Sequence, residues 1–150
     1  MIYLLRHGDA EPGNGDDDAR RLTAKGERQA ADAGSALAAL GAEIDACLTS
    51  PKLRAAETAR LACAALGIEP EVAAELRGGG FDSPTLCAGR GDVLLVGHEP
   101  DFSNEVARLT GAKVKLRKGG LAIIDGLTLQ ALLRPADLRR IAADRAPNPY

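Results

Sequence analysis

The sequence predicts an α/β fold on a largely parallel sheet, and three observations predict it. Short apolar runs alternate with longer segments of helical period, the pattern of repeated β-α units. The run VLLV at residues 93–96 is apolar on both faces, as in a parallel strand covered from both sides. Each long helical segment is followed by a glycine, Gly41, Gly67 or Gly111, that can stop it.

The elements follow in order. Ile2 to Leu5 is too short for a helix and opens the sheet. Thr23 can cap a helix over Ala24 to Leu40, whose apolar stripe is Ala30, Ala33, Leu37 and Leu40. Ile44 to Thr49 is a second strand. Ser50-Pro51 then supplies a cap residue and a first-turn proline for a helix carrying Leu53, Ala56, Ala59, Cys63 and Leu66 on one face. Ser83-Pro84 repeats that signal for a shorter helix to about Ala88. Asp92 to Gly97 is the buried strand, and Phe102, Val106 and Leu109 mark the helix after it. KVKL, LAIIDG and LTLQALL, turning at Asp125-Gly126, read as a hairpin on the sheet edge. Pro135 starts a last short helix, and APNPY at the C-terminus reads as a frayed tail.

Composition narrows the function. The chain has 150 residues, 45% of them hydrophobic, and a net charge of -2. Such a balance fits one globular domain over residues 1–150 and lacks the basic excess of a nucleic-acid binder. No apolar run approaches the roughly 20 residues of a membrane span, and Arg6 comes too early for a signal peptide, so a cytoplasmic protein with no membrane partner is expected. Cys47, Cys63 and Cys87 form no CxxC pair and read as small core residues, leaving no metal site to expect. The acidic run Asp16 to Asp18 and the segment Arg77 to Pro84 read as loops.

The chain has two histidines, and each falls just past the C-terminal end of a predicted strand. His7 follows IYLLR and His98 follows DVLLVG. Ligands bind at that edge of open parallel sheets, so two rings at one edge mark a candidate site. Arg54 lies near the start of the helix that opens at the same edge, where free N–H groups and the helix dipole attract anions. By itself Arg54 would read as a surface ion pair with Glu57. Beside the two histidines it reads as part of a phosphate pocket with Arg6.

RHGDA at Arg6 to Ala10, LTAKGERQA at Leu22 to Ala30, TSPKLRAAETA at Thr49 to Ala59 and LLVGHEP at Leu94 to Pro100 resemble the histidine phosphatase, or phosphoglycerate mutase-like, superfamily. The short chain and the RHGDA form resemble its SixA-type phosphohistidine phosphatase branch. The resemblance covers roughly residues 1 to 110 and implies a three-layer α/β/α fold, its mostly parallel sheet bearing an antiparallel edge. It implies His7 as nucleophile, forming a phosphohistidine intermediate that water hydrolyses. It places Arg6, Arg54 and His98 as phosphate-binding donors, with His98 protonated when phosphate is bound, and needs no metal or other cofactor. Phosphomonoesterases of the superfamily use an acidic proton donor, for which Glu75 is the candidate here, with Asp9 and the Asp16 to Asp18 run behind it.

A site without a strong acid suits phosphohistidine, whose P–N bond is weak. The short stretch between Arg54 and His98 also leaves little chain to roof the pocket, so a phosphohistidine displayed on a protein, such as a histidine phosphotransfer domain, is the expected substrate and phosphate the product. A small-molecule phosphomonoesterase is the second reading, and a non-catalytic phosphate-binding module the third. KVKLRK at Lys113 to Lys118 reads first as a solvated strand face and second as a docking stripe for an acidic partner.

Overall fold

A computed structural model describes residues 1–144; the tail expectation for APNPY lies outside them. Strands β1 (Ile2–Arg6), β2 (Ala46–Thr49), β3 (Pro70–Val72), β4 (Val93–Gly97), β5 (Leu121–Asp125) and β6 (Thr128–Leu133) form one sheet in the order β3-β2-β4-β1-β5-β6. β3, β2, β4 and β1 run parallel, while β5 lies antiparallel to β1 and β6 antiparallel to β5. The sheet is therefore mostly parallel with an antiparallel edge.

Alternation along the strands feeds two cores. Tyr3, Leu5, Leu94 and Val96 face helices α1 (Ala24–Ala39), α2 (Leu53–Leu66) and α5 (Pro135–Ala143). Leu4 and Leu95 face the other side, under α3 (Ser83–Cys87) and α4 (Asp101–Thr110), where Phe102 and Val106 are buried. β4 is buried along its whole length because the sheet is covered on both faces. Cys47, Cys63 and Cys87 are free and buried, filling small core positions.

Several elements differ from the sequence expectation for physical reasons. The stripe of α1 loses Leu40, which caps the helix and is 51% exposed, while Ala30, Ala33 and Leu37 are fully buried. α2 starts at Leu53, two residues later than Ser50-Pro51 indicates, and has no side-chain cap. Its buried face is Arg54, Ala55, Thr58, Ala59, Ala62 and Cys63, turned from the expected apolar stripe because two polar side chains enter the interior. α3 is capped by Asp82, which accepts from Thr85 N, rather than by Ser83. β3 has only three residues and a proline, too little periodicity to be read. KVKL is not a strand: Leu116 is buried in the core with Phe102, while Lys113 and Lys115 stay exposed, so the alternation belongs to an extended loop on an apolar surface.

α1 and α2 approach closely at Gly34. A Cβ there would sit 2.2 Å from the Ala62 carbonyl oxygen, inside van der Waals contact. Gly34→Ala is expected to destabilise the fold by about 1–3 kcal/mol, outweighing the helix-propensity gain of about 1 kcal/mol. Urea unfolding measures it, and an equally or more stable variant would show that the helices have room to part.

Candidate active site

The site follows from the adjacency of two parallel strands. β1 and β4 pair in register from Ile2↔Val93 to Arg6↔Gly97, so the residues that follow each strand emerge side by side. His7 N donates to Gly97 O at 3.0 Å, and the His7 and His98 ring centroids are 5.2 Å apart. Both rings are nearly buried, at 6% and 7% exposure. Arg6, His7, Arg54 and His98 all line one cleft of about 400 Å³, joined by Arg20, Lys52, Arg77 and Lys118. Glu99 and Asp101 are the carboxylates in its lining. Four residues selected from remote parts of the sequence thus share one basic cavity.

The His7 ring is fixed by its own loop. Nδ1–H donates to the Gly8 carbonyl at 2.7 Å, which leaves Nε2 with its lone pair in the neutral ring. Gly8 N donates to Thr58 Oγ1 at 3.1 Å, and that hydroxyl donates to the Arg54 carbonyl at 2.7 Å. Thr58 therefore ties the His7 loop to the first turn of α2. The same loop packs on α1 without side chains between them: a Cβ on Gly26 would lie 2.0 Å from the Asp9 carbonyl oxygen.

His98 is held by a residue that sequence reasoning assigned only to a helix cap. Its Nε2 lies 2.8 Å from Ser50 Oγ, and Ser50 is fully buried. Lys52 N already donates to that oxygen at 3.2 Å, so the Ser50 hydrogen is available for Nε2. Nδ1 of His98 then carries the proton of the neutral ring. The distinguishing signal, a serine just past a predicted strand beside the histidine strand, existed in the sequence but was masked by the Ser-Pro helix-start pattern.

Arg54 does not pair with Glu57, whose Oε2 instead accepts from Leu22 N at 3.4 Å. Its Nη1 donates to the Asp17 carbonyl at 2.8 Å and its Nη2 to Asp17 Oδ2 at 3.2 Å. Lys52 and Arg20 also bind the Asp17 carboxylate, at 3.1 and 3.2 Å. These partners hold the Asp17 carboxyl well below the usual carboxylate range, Lys52 most of all. The acidic run is thus not a free solvated loop: Asp17 orients Arg54, and Asp18 pairs with Arg77. Arg6 Nη1 donates to the Leu116 carbonyl at 3.0 Å. Among the described residues, the buried side-chain polar atoms without a partner are Arg6 Nε, Arg54 Nε, His98 Nδ1 and Ser83 Oγ. Three of these four belong to the cluster, and unpaired buried donors of this kind are matched by an anion.

Glu75, the expected proton donor, is exposed on the one-turn helix Ala74–Arg77 and does not line the cleft; Arg77, two residues on, does. Asp9 receives the Thr23 hydroxyl at 2.8 Å and lies 3.5 Å from Lys118. Thr23 above all lowers its pKa, the wrong direction for an acid that must hold a proton near neutrality. Glu99 accepts from Ser103 N, the Ser103 hydroxyl and Leu116 N. Asp101 opens α4, the helix end that favours negative charge.

Burial, reinforced by Arg54, Arg6 and Lys118, lowers the His7 pKa to about 4 against the opposing pull of the Gly8 carbonyl. Burial, then His7, Arg54 and Lys52, lowers that of His98 to about 3. The chain has no other histidine, which makes an NMR titration of the ring carbons unambiguous. In the ligand-free protein both rings are expected to stay neutral from pH 8 down to about pH 5. A ring titrating near 6.5 would show that burial and the neighbouring cations do not control the site.

A family model for the histidine phosphatase superfamily, branch 1, matches residues 2–82. The chain belongs to this superfamily. An uncharacterized protein of Picosynechococcus sp. is 34% identical over 134 residues, spanning 80% of this chain and 81% of that protein. The solved structure of the protein histidine phosphatase SixA complexed with tungstate superposes with a TM-score of 0.79 at 26% identity, covering 91% of this chain and 98% of that one. A candidate phosphohistidine phosphatase SixA from Agrobacterium tumefaciens gives 0.77, also at 26% identity, over 89% and 97%. A candidate α-ribazole-5′-phosphate phosphatase from Escherichia coli gives 0.71 at 19% identity, over 89% and 96%, a likeness of fold alone. The chain accordingly has the phosphoglycerate mutase-like fold of SixA, and family and neighbours support phosphatase activity. Among the described residues no helix is long and apolar enough to cross a membrane.

Proposed function

We propose that the chain is a phosphohistidine phosphatase whose substrate is a phosphohistidine carried on a protein. The observation that carries this reading is a neutral, oriented His7 among forked cationic donors, in a cleft whose carboxylates are engaged by protein groups, Glu99 by Ser103 and Leu116 N, or sit at the start of α4, as Asp101 does. His7 Nε2 attacks phosphorus, the substrate P–N bond breaks, and its electron pair stays on the substrate ring, which carries a proton on its other nitrogen and so departs as neutral imidazole, a far better leaving group than an alkoxide. Water then attacks the phosphoenzyme, the P–N bond to His7 breaks, and inorganic phosphate leaves. Arg6, Arg54 and His98 stabilise the charge spread over the equatorial oxygens, and these side chains supply the positive field without a metal. His98, neutral in the free protein, gains a proton when the phosphate dianion arrives, since a nearby anion raises its pKa.

The likeness to SixA, one structure of which binds tungstate, a tetrahedral oxyanion, supports the reading. So does the access: of the chain between α2 and β4, only Arg77 to Gly79 reaches the cleft. A phosphorylated ring on another protein can enter. The same reading takes residues 1–150 as one histidine phosphatase domain working in the cytoplasm.

The test compares purified protein acting on a phosphorylated histidine phosphotransfer domain with a panel of small phosphate esters. A higher kcat/KM for the phosphoprotein is expected. Faster turnover of a small ester would instead establish a phosphomonoesterase, and no turnover of either would leave a binding module.

A further inference from the structure

Beyond the cleft the surface carries a second feature that the reaction does not use. Two depressions of about 640 and 700 Å³ adjoin, sharing Lys25, Gln29 and Pro135. The first shares Arg6 and Lys118 with the catalytic cleft, so the three form one continuous trough. Outside the cleft its cations are Lys25, Arg28, Lys115, Arg117 and Arg139, all exposed, in a chain whose net charge is -2. Its acids are Asp9, which is already bonded to Thr23 and Lys118, and Asp32. Among the described residues Lys25, Arg28, Lys115 and Arg117 form no ion pair. A folded chain with a slight acidic excess has thus gathered unpaired cations along one path leading to the site.

The path is also joined to the catalytic residues. The loop that carries Lys115, Arg117 and Lys118 gives its Leu116 carbonyl to Arg6, and Gly119 N donates to the His7 carbonyl at 3.0 Å. Whatever binds this loop sits against the segment that orients Arg6. Among the described residues no aromatic side chain lines either depression, so the stacking that single-stranded nucleic acids use has no platform in their lining. A small phosphate ester fills only the cleft and has no use for the remainder.

We propose that this trough docks the acidic surface flanking the phosphorylated histidine of the substrate protein, an inference that rests on the phosphohistidine reading above. Complementary charge speeds encounter and selects partners more than it adds affinity, so the effect appears mainly in KM.

The experiment uses synthetic phosphohistidine peptides with acidic, neutral or basic flanks, and free phosphohistidine, with the wild type and the triple variant K25E/R28E/R139E. All three positions are exposed and outside the catalytic cleft. The acidic peptide is expected to show a KM on the order of tenfold below the neutral one, a preference lost in the variant and at high salt. Turnover of free phosphohistidine is expected to be unchanged in the variant. Equal KM values for the three peptides, or a preference retained by the variant, would overturn the proposal. Fluorescence anisotropy of a labelled, unphosphorylated acidic peptide reads the trough without turnover. Binding that weakens on the order of tenfold in the variant supports it. Undetectable binding at low salt, or tighter binding of a single-stranded DNA of equal charge, overturns it. Turnover of a small ester with none of any phosphohistidine substrate would refute the functional reading, while the anisotropy result would still judge the trough.

Discussion

His7→Ala is expected to lower kcat for phosphohistidine hydrolysis by roughly 10⁴-fold or more, the scale seen when a covalent nucleophile is removed. Nδ1 is committed to the Gly8 carbonyl, so Nε2 is the ring nitrogen free to form a bond to phosphorus. The lowered pKa keeps that nitrogen unprotonated at neutral pH, and deleting the ring removes the group that splits the reaction into two steps. The hydrogen bond of the His7 ring is local, to the carbonyl of the adjacent Gly8, so the variant should fold; circular dichroism checks this. Single-turnover kinetics would show loss of the covalent step itself. Hydrolysis at the wild-type rate would remove His7 from the mechanism.

Arg54→Ala carries the second largest expected loss, about 10²–10³-fold in kcat/KM, the cost of deleting one preorganised donor to a developing oxyanion. Two of its guanidinium nitrogens are already occupied by Asp17, which fixes the plane of the fork and leaves Nε as a buried donor without a protein partner. Arg54→Lys should restore little, because a flexible ammonium cannot reproduce a planar fork held from behind. Inhibition constants for orthophosphate should rise in parallel. A variant with intact kcat/KM and intact phosphate inhibition would mean that Arg54 serves only to hold the acidic loop.

Much of this site was legible because its chemistry sits on regular elements. His7 and His98 follow strands whose apolar runs are unmistakable, and two parallel strands with a shared edge leave their following residues little freedom to separate. Arg54 was legible for the same reason, being fixed in the first turn of a helix. What stayed hidden depends on contacts between segments remote in the chain. Ser50 looks like a cap until Lys52 N and His98 are seen to converge on its hydroxyl. Asp17 looks solvated until Arg20, Lys52 and Arg54 close around it. The alternation of KVKL is that of a strand, yet the antiparallel partner of β1 is Leu121 to Ile124, so the earlier segment remains a loop and supplies a carbonyl to Arg6. Glu75 was placed by its position in the chain, and its exposure shows how little position says about where a side chain in a turn will point.

The central claim is that His7, Arg6, Arg54 and His98 close on one tetrahedral phosphoryl group. A crystal structure with orthovanadate tests it most directly. The expected result is vanadium bonded to His7 Nε2, its oxygens within hydrogen-bond distance of the Arg6 and Arg54 guanidinium groups and of His98. An oxyanion bound elsewhere, or held by the arginines with His7 Nε2 turned away from it, would contradict the account.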